Sequence, residues 1–183
     1  MNKRNVLTVF RTLLVITALI ATGTTVIAQS DKQRKLMTDC SEAKTDFIHT
    51  DNLMGGLFSS SYAYVIFPNV GKGAIGIGGA AGNGIVYQNG RAIGSAKMKQ
   101  VSIGFQFGGQ AYREVIFFES KAELDRFKGD NFEFAAQASA VAATAGASAN
   151  VKYKNGVMIF TQQKGGLMYE ASIGGQKFDY SSF

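Results

Sequence analysis

In two places an Asn-Gly pair joins short runs rich in apolar and β-branched residues: Asn89-Gly90 between "IVYQ" and "RAIG", and Asn155-Gly156 between "VKYK" and "VMIF". A two-residue hairpin loop of type I′ needs positive φ at both central positions, which Asn tolerates and Gly adopts freely, so such a pair is the strongest short-range hairpin signal. Two such turns commit the chain to β structure on either side of each.

The turns belong to a longer internal repeat. A shift of 66 residues lays 73–112 over 139–178 without a gap and gives nine identities in forty positions, among them Tyr87/Tyr153, both Asn-Gly pairs, and "GGQ" at 108–110 and 174–176. Beyond the first turn, Val101, Ile103, Phe105 and Phe107 alternate with Ser102, Gly104, Gln106 and Gly108, the period of a strand with one apolar face. In the second copy Leu167, Tyr169, Ala171 and Ile173 alternate in the same way. Each copy reads as a three-stranded meander. Residues 137–151, "QASAVAATAGASANV", have the alanine content of a helix, but their register against 71–85 assigns them to a strand.

Helices frame the repeat. Apolar residues at 36, 40, 43 and 47 form one stripe of an amphipathic helix, and a second short helix is expected over 52–58, before "YAYVIF", which reads as a buried strand. Between the copies, "SKAELDRFKGD" begins with Ser120 and Glu123 in capping-box spacing and ends near Gly129, so a short helix should present Leu124 and Phe127 to the sheet. The expected fold is α+β: two related Gly/Ala-rich antiparallel β-meanders joined by a short helix, with N-terminal helices packed on the sheet.

Gly71, Gly73 and Gly76 within "VGKGAIGIGGAAGNGIV" spell G-x-G-x-x-G. A dinucleotide loop needs a following helix and an acid about 20 residues on. Here more glycine and a hairpin follow, no acid stands between Asp51 and Glu114, and no G-K-[ST] occurs. The repeat matches these glycines to Gln137, Ser139 and Ala142, so the positions ask for small residues, which let another backbone approach closely.

The first residues carry Lys3, Arg4 and Arg11, then "TLLVITALIATGTTVIA", then the polar "QSDKQRK". That order reads as a secretory signal peptide over 1–28, with Val26 and Ala28 before the cut and an apolar core too short to span a bilayer, which takes about 20 residues. Residues 29–183 then form a single domain, exported to the periplasm or secreted. Cleavage removes three of nineteen bases and none of thirteen acids, lowering the formal charge from +6 to +3. The single cysteine, Cys40, allows no internal disulfide and falls on the apolar stripe of the front helix.

Little in the chain points to catalysis. His49 is the only histidine and has no identifiable acid–base partner, and one His and one Cys do not make a transition-metal set. No enzyme activity, catalytic residue, metal site or cofactor is therefore expected, and an exported protein is no partner for nucleic acid. Glu114, Glu119, Glu123, Asp125, Asp130 and Glu133 read as the solvated surroundings of the central helix. From Leu53 to Arg113, by contrast, five bases (Lys72, Arg91, Lys97, Lys99 and Arg113) face no acid in the sequence. Such a segment suits anionic headgroups or acidic polymers.

The blocks "YVIFPNVGKGAIGIGGAAGNGIVY", "VSIGFQFGGQAYREVIFFES", "NFEFAAQASAVAATAGASANV" and "FTQQKGGLMYEASIGGQKFDY" resemble the SYLF family, a lipid-binding domain also labelled as actin-binding, over about residues 50–183. The resemblance implies phospholipid binding without catalysis, at a membrane surface in eukaryotic members and as lone exported domains in bacterial ones. Eukaryotic relatives use a basic front helix; here Lys32, Arg34, Lys35 and Lys44 are balanced by Asp31, Asp39, Glu42 and Asp46. For an exported protein actin is not an expected partner. The candidate headgroup contacts are Lys72, Lys97, Lys99, Arg113 and, in the second copy, Lys164. The alternative is a structural or protein-interaction domain that binds an envelope partner.

Overall fold

The computed structural model describes residues 31–72, 79–101, 111–129, 132–135, 138–164 and 170–183. The chain divides into two compact units, residues 1–37 and 38–183. In the first, residues 31–37 are helical and Arg34 pairs with Asp31 at 3.2 Å. The signal-peptide reading of 1–28 and the strand expected over 102–108 lie outside the described residues.

In the second unit, helix α1 (residues 31–50, of which 38–50 belong here) and α2 (Met54–Ser60) precede β1 (Ala63–Lys72), β2 (Gly79–Gln88), β3 (Arg91–Val101) and β4 (Tyr112–Phe118). Helix α3 (Lys121–Lys128) follows, then β5 (Phe132–Glu133), β6 (Ser139–Ala142), a 3-10 turn (Ala147–Asn150), β7 (Val157–Gln163), β8 (Glu170–Ser172) and β9 (Gln176–Ser182). Among the described residues the strands form one sheet in the order β5-β9-β3-β2-β1-β4-β7-β6-β8. The fold is α+β, with the helices on the sheet as expected.

The first hairpin forms as read. Gln88 pairs with Arg91, and Asn89 and Gly90 take φ of 50° and 75°. Asn155 and Gly156 take the same φ values and Lys154 bridges Val157, so the second turn is also made. Upstream of it the likeness ends. Among the described residues of the expected strand, Ser139–Ala142 alone joins the sheet, and Gly146, at φ 74°, starts the 3-10 turn. Strand β6 pairs with β7 in parallel, Val141 opposite Phe160, so copy two is not an antiparallel meander. The tether is Asp51, whose Oδ2 accepts the backbone N–H of Ser148 at 2.8 Å while Oδ1 accepts that of Leu53 at 3.1 Å. Burial works to raise this carboxyl, but hydrogen bonds from Ser148, Leu53 and Gly146 outweigh it and hold it below the usual carboxylate range.

The sheet buries both faces at its centre. Cys40, Ala43 and Phe47 of α1, with Met54 and Phe58 of α2, are buried on one side, where Phe58 lies edge-on to Tyr64 and Phe117. The Cys40 thiol donates to the Ile66 carbonyl at 3.4 Å, and burial pushes it up to about 12, so it stays an inert thiol. On the other side the sheet curls around α3. Leu124 and Phe127 are buried as the helical spacing requires, and Phe178 of β9 meets Phe67 of β1 at 5.7 Å and Phe127 of α3 at 5.1 Å between ring centroids. Ser120 takes the extended N-cap conformation but makes no side-chain cap bond.

A third Asn-Gly pair, Asn83-Gly84, sits inside β2 rather than at a turn. A Cβ at Gly84 would stand 2.5 Å from the Ile66 carbonyl oxygen and 2.8 Å from the Phe67 ring, so glycine is required there for close approach of β1. At Gly71 nothing described lies within 4 Å. Gly84→Ala should therefore destabilise the protein by about 2–3 kcal/mol in chemical denaturation, the cost of overpacking, while Gly71→Ala should fall within about 0.5 kcal/mol of wild type.

Candidate functional site

Among the described side chains the candidate cations do not form one cluster. Lys97 and Lys99 are exposed at alternate positions of β3, and the register sets Lys177 of β9 opposite Lys99. This strip is partly neutralised: Lys99 pairs with Asp179 at 3.7 Å, and Lys177 pairs with Glu133 at 3.3 Å. Lys72 ends β1 opposite Ala80, and its side chain lies outside the described residues. Lys164 is exposed just after β7, its backbone N–H on the Ala111 carbonyl.

Arg113 of β4 has a different environment. Its guanidinium holds Asp46 of α1 in an ion pair at 2.5 Å and donates to Gln162 Oε1 at 3.3 Å. Gln162 in turn donates to Thr50 Oγ1 at 2.6 Å and to the Asp46 carbonyl at 3.3 Å. The period-two pattern of β4 sends Arg113, Val115 and Phe117 to the helix-covered face, so Arg113 ties α1 to the sheet. Lys44, also on α1, lies 5.0 Å from the centroid of Phe58 and 5.4 Å from that of Tyr64.

A cavity of about 1110 Å³ opens between the α3–β5 segment and the loop that leads into β7. Drug-sized ligand sites span roughly 300–1,000 Å³, so there is room for a substantial amphiphile. Phe132, Phe134, Val141, Val151, Val157 and Ile159 make its apolar wall, and Arg126, Lys152 and Lys154 line it from the solvent side with Glu133 and Asn155. Arg126 is fixed there, pairing with Glu123 at 2.8 Å, donating to the Asn155 carbonyl at 2.9 Å and covering Phe132 at 5.7 Å. Lys152 and Lys154 are exposed and enter no ion pair among the described residues.

This cavity lies where residues 143–156 depart from the strand expected of them. The parallel β6–β7 pairing demands a crossover, and residues 143–156 supply it as a loop held out by Asp51 rather than as a strand filling the sheet. The sequence reading missed it for that reason, although "VKYK" carries a local signal in two bases alternating with Val151 and Tyr153.

One acid of those read as solvated lies elsewhere. Glu114 is fully buried on the concave face of β4, beside Tyr112 of its own strand and across from Thr161 of β7. Its Oε2 accepts Gln176 Nε2 at 2.9 Å, and desolvation raises it to about 7. The alternation Tyr112, Glu114, Ile116, Phe118 would have placed it inside.

Among the described residues no group of three or more His, Cys, Asp or Glu could hold a metal ion, and no helix is long and apolar enough to cross a membrane. His49 is exposed on α1.

Arg113→Ala should cost about 1–2 kcal/mol in chemical denaturation, because it removes a charge-assisted pair and the donor to Gln162 Oε1. Asp46→Ala should cost a similar amount, with the double variant less than additive.

A family profile described as "Ysc84: Las17-binding protein actin regulator" matches residues 99–181, which run from the end of β3 through β9 and include the whole cavity. "Beta cell expansion factor A" of Aeromonas veronii is 30% identical over 125 residues, which is 67% of this chain and 47% of that protein. The chain thus spans about half the length of that relative. The chain belongs to the Ysc84 (SYLF) family.

Proposed function

We propose that this chain is a non-enzymatic phospholipid-binding module, exported and peripherally associated with a membrane surface of the cell envelope. The observation that carries the reading is the cavity: an apolar wall suited to an acyl chain, with Arg126, Lys152 and Lys154 at its solvent side suited to a phosphate. The family supports a lipid- or actin-binding kind of role, and the matched span contains these residues. Export rests on the leader-like first 28 residues.

In this reading the headgroup contacts centre on Arg126, Lys152 and Lys154, whose cations surround an apolar cavity, whereas Lys97 and Lys99 add long-range attraction. Lys72 and Lys164 extend that attraction along the same molecule. Arg113 contributes by holding α1 to the sheet. A protein-binding role through strand addition is less well supported, since the described edge strands are β5, of two residues, and β8, of three, a short template for main-chain pairing.

Flotation with vesicles of phosphatidylglycerol and phosphatidylcholine, against phosphatidylcholine alone, tests the reading. Wild type should float with the anionic vesicles, and less so at high salt. Lys152→Glu with Lys154→Glu should weaken association by at least about tenfold, since each basic residue near an anionic surface contributes on the order of 1 kcal/mol. Lys97→Glu with Lys99→Glu should weaken it less. Equal flotation of wild type and the Lys152/Lys154 variant, or none at all, would overturn it.

A further inference from the structure

Two buried oxygen atoms on the concave side of the sheet share one explanation. Glu114 Oε2 accepts Gln176 Nε2 at 2.9 Å, yet Glu114 Oε1 and Gln176 Oε1 have no hydrogen-bond partner among the described residues, and both residues are 0% exposed. A carboxylate offers only acceptors, and so does an amide oxygen, so an ionised Glu114 leaves both atoms unsatisfied in an apolar core. A neutral carboxylic acid differs by one proton, and that proton on Oε1 can be donated to Gln176 Oε1. The carboxyl and the amide then form two parallel hydrogen bonds and both orphan atoms are satisfied at once.

The pair spans the curled sheet, joining β4 to β9, which are separated by β1, β2 and β3 in the strand order. Gln176 also supports the cavity. Its carbonyl accepts the Phe134 N–H at 3.1 Å, and the neighbouring Gly175 N–H donates to the Phe134 carbonyl at 3.1 Å. Phe134 is part of the apolar wall, and β5 before it pairs only with β9 among the described residues.

We propose that Glu114 and Gln176 form a proton-dependent latch, closed as an acid–amide pair when Glu114 is protonated and opened when proton loss sets two acceptor oxygens against each other, which frees the β9–β5 wall of the cavity. The second half of this statement rests on the lipid reading of that cavity.

Among the described residues no charged group acts on Glu114. Tyr112 stands beside it on β4, Phe67 of β1 and Thr161 of β7 are its cross-strand neighbours, and Gln176 approaches from β9. Burial keeps Tyr112 protonated, well above the usual tyrosine range. The folded protein holds the Glu114 proton to about pH 7, whereas the unfolded chain releases it near 4.5. The native state therefore binds more protons between these values, and stability from this group is full below about pH 4.5 and lost as pH rises through about 7. Asp51, held below its usual range, acts in the opposite sense and in a more acidic window.

The test compares full-length wild type with Glu114→Gln, which can make the same two hydrogen bonds to Gln176 without a titratable proton. The thermal midpoint of E114Q minus that of wild type should rise by about 5 °C between pH 5 and pH 8. A difference that stays flat, or falls, overturns the latch. Carbon-13 NMR of the wild-type glutamate carboxyls gives the same answer without a variant: one midpoint near neutrality supports the pair, and all midpoints near 4–5 overturn it. For the cavity, binding to phosphatidylglycerol vesicles should weaken in wild type by at least about threefold from pH 5 to pH 8 and change little in E114Q, because only the closed state is competent. Parallel pH profiles for the two proteins overturn the coupling to lipid. No vesicle binding by either protein at any pH refutes the lipid reading itself, while the midpoints and the NMR titration still decide the latch.

Discussion

Phe178 holds the molecule in its curled form. From β9 it meets Phe67 of β1, Phe127 of α3, and Phe132 and Phe134 of the β5 segment, with centroid separations of 5.1–5.8 Å. Burying such a ring is worth roughly 1.5–3 kcal/mol, and each well-placed aromatic pair about 0.5–1.5 kcal/mol more. Without this hub only the β3 ladder and the Gln176 bonds would hold β9, α3 would lose part of the surface that buries Phe127, and the cavity wall at Phe132 and Phe134 would lose its packing. Sheet curvature, helix position and site thus depend on one set of ring contacts.

The cavity lies where the segment before Asn155 differs from the segment before Asn89. In copy one the strand before Asn89 runs for ten residues and pairs on both sides, so it leaves no opening. In copy two the equivalent chain departs after Ala142, passes through a left-handed Gly146 and a 3-10 turn, and returns only at Lys154. That excursion carries Lys152 and Lys154 beside an apolar wall. Both segments keep the Asn-Gly turn, and only the second departs from the strand before it.

What could be read in advance was local. The Asn89-Gly90 hairpin, the helices α2 and α3, the Cys40, Ala43 and Phe47 stripe and the buried β1 each depend on residues within a few positions of one another, and all are present. The strand assignment of 143–151 failed because a contact about a hundred residues away decides it: Asp51 takes the Ser148 N–H that a strand would have used in its ladder. Glu114 was misjudged for a related reason. An acid among acids reads as solvated, whereas its parity in β4 and the distant Gln176 put it in the core. The candidate lysines of β3 are exposed, but of the cations that border the cavity Lys152 and Lys154 come from a segment whose loop path is set by the distant Asp51.

Lipid recognition in this account is a division of labour between shape and charge, with an acyl chain in the cavity and a phosphate among Arg126, Lys152 and Lys154. Phosphatidylglycerol that carries a nitroxide near the end of one acyl chain, presented to isotopically labelled protein, reports on this by NMR. An acyl chain in the cavity should broaden the amides of Val141, Val151, Val157 and Ile159 beyond those of Lys97 and Lys99. Broadening confined to the β3 strip, with the cavity amides sharp, would contradict it.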